Sequence, residues 1–159
     1  MNYMNLLMDA DCLIKLTKAG LKELVANKNS IFIPAAVQKE VVESGKEKDC
    51  ADTYVVEDDI DAGMISVVES DIQHARGDDA LIALFSKENY DAVATDDAKL
   101  TRLLRTKSIS FILPGLVIYE LFQRKLIRRK TALRALRQLA EFISEDEYST
   151  VRLLMERKK

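Results

Sequence analysis

Histidine and cysteine are nearly missing from this chain. Its 159 residues include one histidine, His74, and two cysteines, Cys12 and Cys50. The cysteines have neither metal-ligand spacing nor the pattern of a disulfide framework. Reduced thiols in a cytoplasmic protein are therefore expected, with Cys12 serving as packing. His74, in "DIQHARGDD", reads as a surface-loop residue rather than a general base. No apolar stretch approaches the roughly 20 residues that a membrane span needs, so no membrane partner is expected. The start "MNYMNLLMDADC" lacks a basic segment followed by a long apolar one, which argues against a signal peptide. Internal repeats, linkers and low-complexity segments are also absent.

What is present points to a soluble α/β protein. Hydrophobic residues make up 48% and charged residues 31%, a globular balance. The length favours a single domain over 1–159, with 114–159 as a helical C-terminal extension packed on it. The net charge of -2 hides a split. Between Gln38 and Asp79 stand 13 acidic and 4 basic residues; between Lys99 and Arg137 stand 11 basic residues and one acid, Glu120. An acidic centre beside a basic flank suits a metal-dependent reaction on a polyanion, although both charge sets also fit solvated helix faces.

Short apolar runs alternate with helical patterns. "MNLLMD", "SIFIP", "MISVVE", "YDAVATD" and "SISFIL" read as strands. Between them, "ADCLIKLTKAGLKELVANK" reads as two short helices broken at Gly20. "AAVQKEVVES" reads as a helix opened by Pro34 and stopped by Gly45. "CADTYVVEDDIDAG" is a weaker, acid-rich helix, and "DDALIALFSKEN" and "DAKLTRLLRTK" are stronger ones. After Pro114 three helices follow, the last beginning "SEDE" in the manner of a capping box. Such alternation predicts a three-layer α/β/α fold around a mainly parallel five-stranded sheet. In such sheets ligands sit beyond the carboxyl ends of the strands.

That rule gives the acidic residues their interest. Asp9 ends the first strand, and Asp96 and Asp97 end the fourth in "AVATDDAKL". Glu40, flanked by Val37 and Val41, can lie near an inward helix face, with Glu43 as its competitor. Asp79 opens the helix "DALIALF". Four elements can thus offer carboxylates to one pocket. Carboxylates brought together repel and resist joint ionisation, whereas a divalent cation keeps them ionised. Hard oxygen donors suit Mg²⁺ or Mn²⁺, which need no histidine or cysteine. An activated water would then be the nucleophile.

At these residues the chain resembles the PIN-domain family. "LLMDADCLIKL" is similar to its first motif and places the first acidic ligand at Asp9, with Asp11 as a secondary candidate. "IPAAVQKEVVES" is similar to the second and matches Glu40. "GDDALIAL" matches the third best at Asp79, with Asp78 beside it. "AVATDDAKL" is similar to the fourth and favours Asp97, with Asp96 as a neighbouring ligand candidate and Thr95 as a residue that holds a carboxylate or water. The likeness runs from about Met4 to Leu113 and is weaker beyond. The resemblance implies a three-layer PIN-like fold, an Mg²⁺- or Mn²⁺-dependent ribonuclease activity, and RNA as substrate. It also implies a role as toxin of a toxin–antitoxin pair, with an antitoxin partner, or in RNA processing, and a homodimer.

Other readings compete. Asp9 and Asp97 at strand ends are also the residues expected of helix N-caps, Asp78 fits a first-turn dipole role, and Asp11 can merely solvate a helix start. A catalytically inactive PIN-like scaffold or nucleic-acid-binding protein carries the same fold. Asp9-Ala-Asp11 after a strand also suits a phosphatase with an aspartyl nucleophile, but no lysine fits that scheme. In "ELFQRKLIRRKTALRALRQ" the cluster Arg128, Arg129 and Lys130 is the candidate surface for RNA phosphates. Tyr119 and Phe122 there fit core spacing, so no base-stacking platform is expected.

Overall fold

A computed structural model describes residues 4–39, 63–69 and 77–157. Five strands form one sheet: β1 (Met4–Met8), β2 (Asn29–Pro34), β3 (Ile65–Val68), β4 (Ala92–Ala94) and β5 (Phe111–Ile112). Their spatial order is β3-β2-β1-β4-β5, and every pairing is parallel. The expected sheet was mainly parallel; among the described residues it is wholly so. β1 is central. Leu6, Leu7 and Met8 are almost entirely buried, because a strand covered by helices on both faces has no solvent side.

The last two strands are shorter than the apolar runs "YDAVATD" and "SISFIL" suggest. Leu6, Leu7 and Met8 pair with Ala92, Val93 and Ala94. The ladder ends with Met8 because the next residue, Asp9, turns into a helix. Tyr90 instead packs edge-on against Phe32, with ring centroids 5.4 Å apart.

Among the described residues the helices are α1 (Ala10–Lys18), α2 (Lys22–Lys28), α3 (Ala35–Gln38), α4 (Gly77–Lys87), α5 (Ala98–Thr106), α6 (Pro114–Gln123), α7 (Arg129–Leu139) and α8 (Glu145–Arg157). A short 3-10 turn, Ala140–Phe142, joins the last two. Gly20 separates α1 from α2 as expected, with φ +74. Pro34 acts differently from the expectation: it is the N-cap of α3 and the last residue of β2. Pro114, by contrast, is the first residue of α6. Glu40, Glu43, Gly45, His74, Cys50 and nearly all of the acid-rich segment 50–63 lie outside the described residues. Core residues of α6, α7 and α8, among them Ile118, Leu136 and Met155, belong to the same apolar cluster as the sheet.

The path of the chain sets the site. From β1 it moves outward to β2 and β3, then returns to β4 on the other side of β1 and on to β5. The direction reverses between β1 and β4. Loops leaving the carboxyl ends of those two strands therefore diverge and leave a crevice, the usual ligand position in open α/β sheets.

Candidate active site

Asp9 and Asp97 stand at this reversal point. Asp9 follows β1 in an extended conformation, φ -82 and ψ 168, and is the N-cap of α1. Its Oδ1 accepts a hydrogen bond from the Cys12 amide at 2.8 Å. Its Oδ2 accepts one from the Thr95 hydroxyl, across the β1–β4 seam. The Asp9 amide donates to the Ala94 carbonyl at 3.2 Å. Thr95 is fully buried, and its Oγ1 also accepts from the Asp97 amide at 3.2 Å. Asp97 in turn caps α5, its Oδ1 accepting from the Leu100 amide at 2.7 Å. One threonine hydroxyl thus joins the two strand ends. The cap readings of Asp9 and Asp97 hold, and they leave lone pairs on both carboxylates for a second role.

Asp9 is only 6% exposed. Burial raises its pKa from 3.8 to about 6, against the hydrogen bonds from Thr95 and Cys12 and with the help of the nearby Asp11 and Asp96 charges. Two donors are too few to offset the lost hydration of a carboxylate. A cation at this position would supply what is missing.

Asp96 has a different partner. Its Oδ2 lies 2.6 Å from the Lys15 ammonium on α1. The contact holds the Lys15 pKa up although burial acts to lower it. Beside this pair opens a cleft of about 360 Å³, lined by Asp96, Leu113, Leu116, Asp146, Glu147 and Val151 among others. Glu147 is 8% exposed, and burial pushes its carboxyl up. Its Oε2 accepts from the Gly115 amide at 2.8 Å, in the first turn of α6. A Cβ on Gly115 would meet that oxygen at 3.0 Å, so the close approach depends on glycine. The expected capping box of α8 is half present. Ser144 Oγ accepts from the Glu147 amide at 3.1 Å, but the glutamate side chain caps α6 instead.

Asp11 is exposed in the first turn of α1, Asp78 is half-buried in the first turn of α4, and Asp79 is exposed beside it. Asp79 takes no part in the hydrogen bonds that join Asp9, Thr95 and Asp97. Glu40 lies outside the described residues. Among the described residues, no group of three or more His, Cys, Asp or Glu side chains could hold a metal ion. The donor set still suits a hard cation, because Mg²⁺ can bind through one or two carboxylates with water and substrate phosphate completing its shell. Cys12 is fully buried and its thiol pKa is pushed well up, so it is packing rather than a nucleophile. Arg128, Arg129 and Lys130 are exposed around the start of α7, with Arg129 lying over the Phe122 ring at 5.6 Å.

Sequence reading missed Lys15 and Glu147. Nothing in the sequence separates Lys15 from the other lysines of α1 and α2, and Glu147 stands among three acids in the first turn of α8. Only the Ser144-to-Glu147 spacing hinted that this glutamate had a specific hydrogen-bonding role. A family model described as "DUF3368: PIN domain" matches residues 5–157. No curated protein matches the chain.

Proposed function

The chain belongs to the PIN-domain family, and from that premise we propose that it is an Mg²⁺- or Mn²⁺-dependent ribonuclease hydrolysing phosphodiester bonds at the β1–β4 crevice. The observation that carries this reading is Asp9: a buried carboxylate with a raised pKa, aligned by Thr95 at the point where the sheet reverses direction. The whole chain is taken as one functional unit, in which the helices of 114–157 share the apolar core of the sheet.

When bound, a divalent cation would supply an activated water and stabilise the charge that develops on the phosphoryl oxygens. Asp9 and Asp97 are the residues that would hold it, with Glu40 and Asp79 as the further ligands that the family resemblance implies. Thr95 fixes the Asp9 rotamer by donating to Oδ2 and accepting from the Asp97 amide. Lys15 neutralises Asp96, which lowers the repulsion that a second free carboxylate would impose on Asp9. Asp96 is therefore a supporting residue in this scheme, as are Asp11 and Asp78. RNA phosphates are held by Arg128, Arg129 and Lys130. The biological setting that fits is a cytoplasmic toxin paired with an antitoxin protein, active as a homodimer.

The second reading is a catalytically inactive, RNA-binding scaffold on the same fold. Calorimetry with Mn²⁺ on the wild type and on the Asp9→Asn, Asp97→Asn double variant separates the two readings. The nuclease reading expects binding that the double variant loses, together with loss of RNA cleavage. A folded wild type that neither binds Mn²⁺ nor cleaves RNA in its presence leaves only the scaffold.

A further inference from the structure

The helix that leaves the candidate site carries charge of one sign. α5 starts at the Asp97 cap. Leu100, Thr101 and Leu104 are buried, which sets the rotation of the helix and turns Lys99, Arg102 and Arg105 to solvent. These three are spaced i, i+3, i+6 and form one stripe about 9 Å long at 1.5 Å per residue. Lys107 follows at the C-cap, also exposed. No acidic residue occurs from Ala98 to Ile112. Among the described residues, none of these four cations has a carboxylate within ion-pair distance, whereas Lys15, Arg124 and Arg152 each have one.

This pattern disfavours the helix itself. Lys99 lies in the first turn, where the helix dipole repels a cation. Lys99 with Arg102, and Arg102 with Arg105, are like-charge pairs one turn apart. An ordinary solvated face mixes signs, as α8 does with Glu145 and Asp146 at its start and Arg152 paired to Glu156. A bound polyanion would remove both costs at once. Arg105 is also propped over the Phe111 ring at 5.4 Å, a contact that fixes its guanidinium against the edge strand β5. On the other side of Asp96, the cleft wall carries Asp146 and Glu147 and would repel phosphate.

We propose that the exposed face of α5, formed by Lys99, Arg102 and Arg105, is the track on which a single RNA strand lies next to the scissile phosphate. The proposal rests on the nuclease reading and adds to it where the substrate approaches. α5 holds the strand through its phosphates without reading bases, since the stripe offers one ammonium and two guanidinium groups and no aromatic stacking platform. The phosphate beyond Lys99 then arrives at Asp97, the first residue before the helix.

The test is the salt dependence of binding to fluorescein-labelled single-stranded oligouridylate in EDTA, so that cleavage does not intervene. Each phosphate contact on a single strand contributes a slope of about -0.7 in log K against log salt. The Lys99→Ala, Arg102→Ala, Arg105→Ala variant should therefore lose about 2 units of slope. Arg152→Ala with Arg157→Ala, on α8, should leave the slope unchanged; circular dichroism would confirm that both variants are folded. A wild-type slope in the α5 variant overturns the proposal. So does an equal loss per charge in the α8 variant, since net charge rather than a track would then explain the binding. Absence of oligouridylate binding by the wild type also overturns it, while Mn²⁺ binding and cleavage judge the nuclease reading separately.

Discussion

Asp9 shows what a single residue can impose. Its folded pKa of about 6 exceeds the ordinary 3.8. Between those values the folded chain binds more protons than the unfolded one, so stability falls as pH rises through this window. Above it the full cost remains, about 3 kcal/mol for a shift of this size. The Asp9→Asn variant keeps an acceptor for the Cys12 amide and removes the charge. It should melt higher than the wild type at pH 7.5 in EDTA, and the gain should vanish near pH 4. Mn²⁺ should raise the melting temperature of the wild type and leave that of the variant unchanged. Thermal denaturation across pH, with and without Mn²⁺, reads all of these outcomes. The residue was legible in the sequence as an acid at a strand end. Its burial was not, and the family resemblance gave Thr95 a carboxylate or water to hold without saying which; that Thr95 holds Asp9 depends on which strand lies next to β1.

Three helices end in the same way. After α1, α5 and α6 the chain enters the left-handed region at Gly20, Ser108 and Lys125, with φ of 74, 56 and 63. In each case the next amide bonds back to the third-last helical carbonyl: Leu21 to Leu16, Ile109 to Leu104 and Leu126 to Leu121, all at 2.9 Å. The left-handed residue bonds to the second-last carbonyl, at 3.0, 3.1 and 3.0 Å. This is the Schellman arrangement. Glycine enters that region freely, while other residues meet a steric cost of about 1–2 kcal/mol. Ser108→Gly and Lys125→Gly should each stabilise the protein by about 0.5–1 kcal/mol, the usual gain when a left-handed cap becomes glycine. Urea midpoints should rise with unchanged slopes. Gly20 was readable as a helix break because glycine is the common signal there. Ser108 and Lys125 gave no such signal, since neither is a residue that favours the left-handed region; at Ser108 the burial of the following Ile109 helps to hold the turn.

The last helix carries a carboxylate to the start of α6. Glu147 on α8 accepts from the Gly115 amide at the start of α6, a bond between residues 32 positions apart that adds to the apolar packing of the two helices. Glu147→Leu would leave that amide buried without its acceptor and should cost about 1–3 kcal/mol. Glu147→Gln keeps an acceptor oxygen and should stay within about 1 kcal/mol of the wild type. Chemical denaturation of the pair checks this. At the scale of the whole molecule, the sequence alone determined the α/β alternation, the element types among the described residues and the positions of Asp9, Asp96 and Asp97 at strand ends. Periodicity and strand-end position are local properties, written in consecutive residues. The strand order, and with it the meeting of Asp9 and Asp97 around Thr95, was decided by the tertiary structure. So were the pairing of Lys15 with Asp96 and the use of Glu147 as a cap for a distant helix. These contacts join residues 32 to 86 positions apart. They form only once burial of β1 between its neighbours brings those segments together, and no local pattern encodes which partner a buried polar group will find.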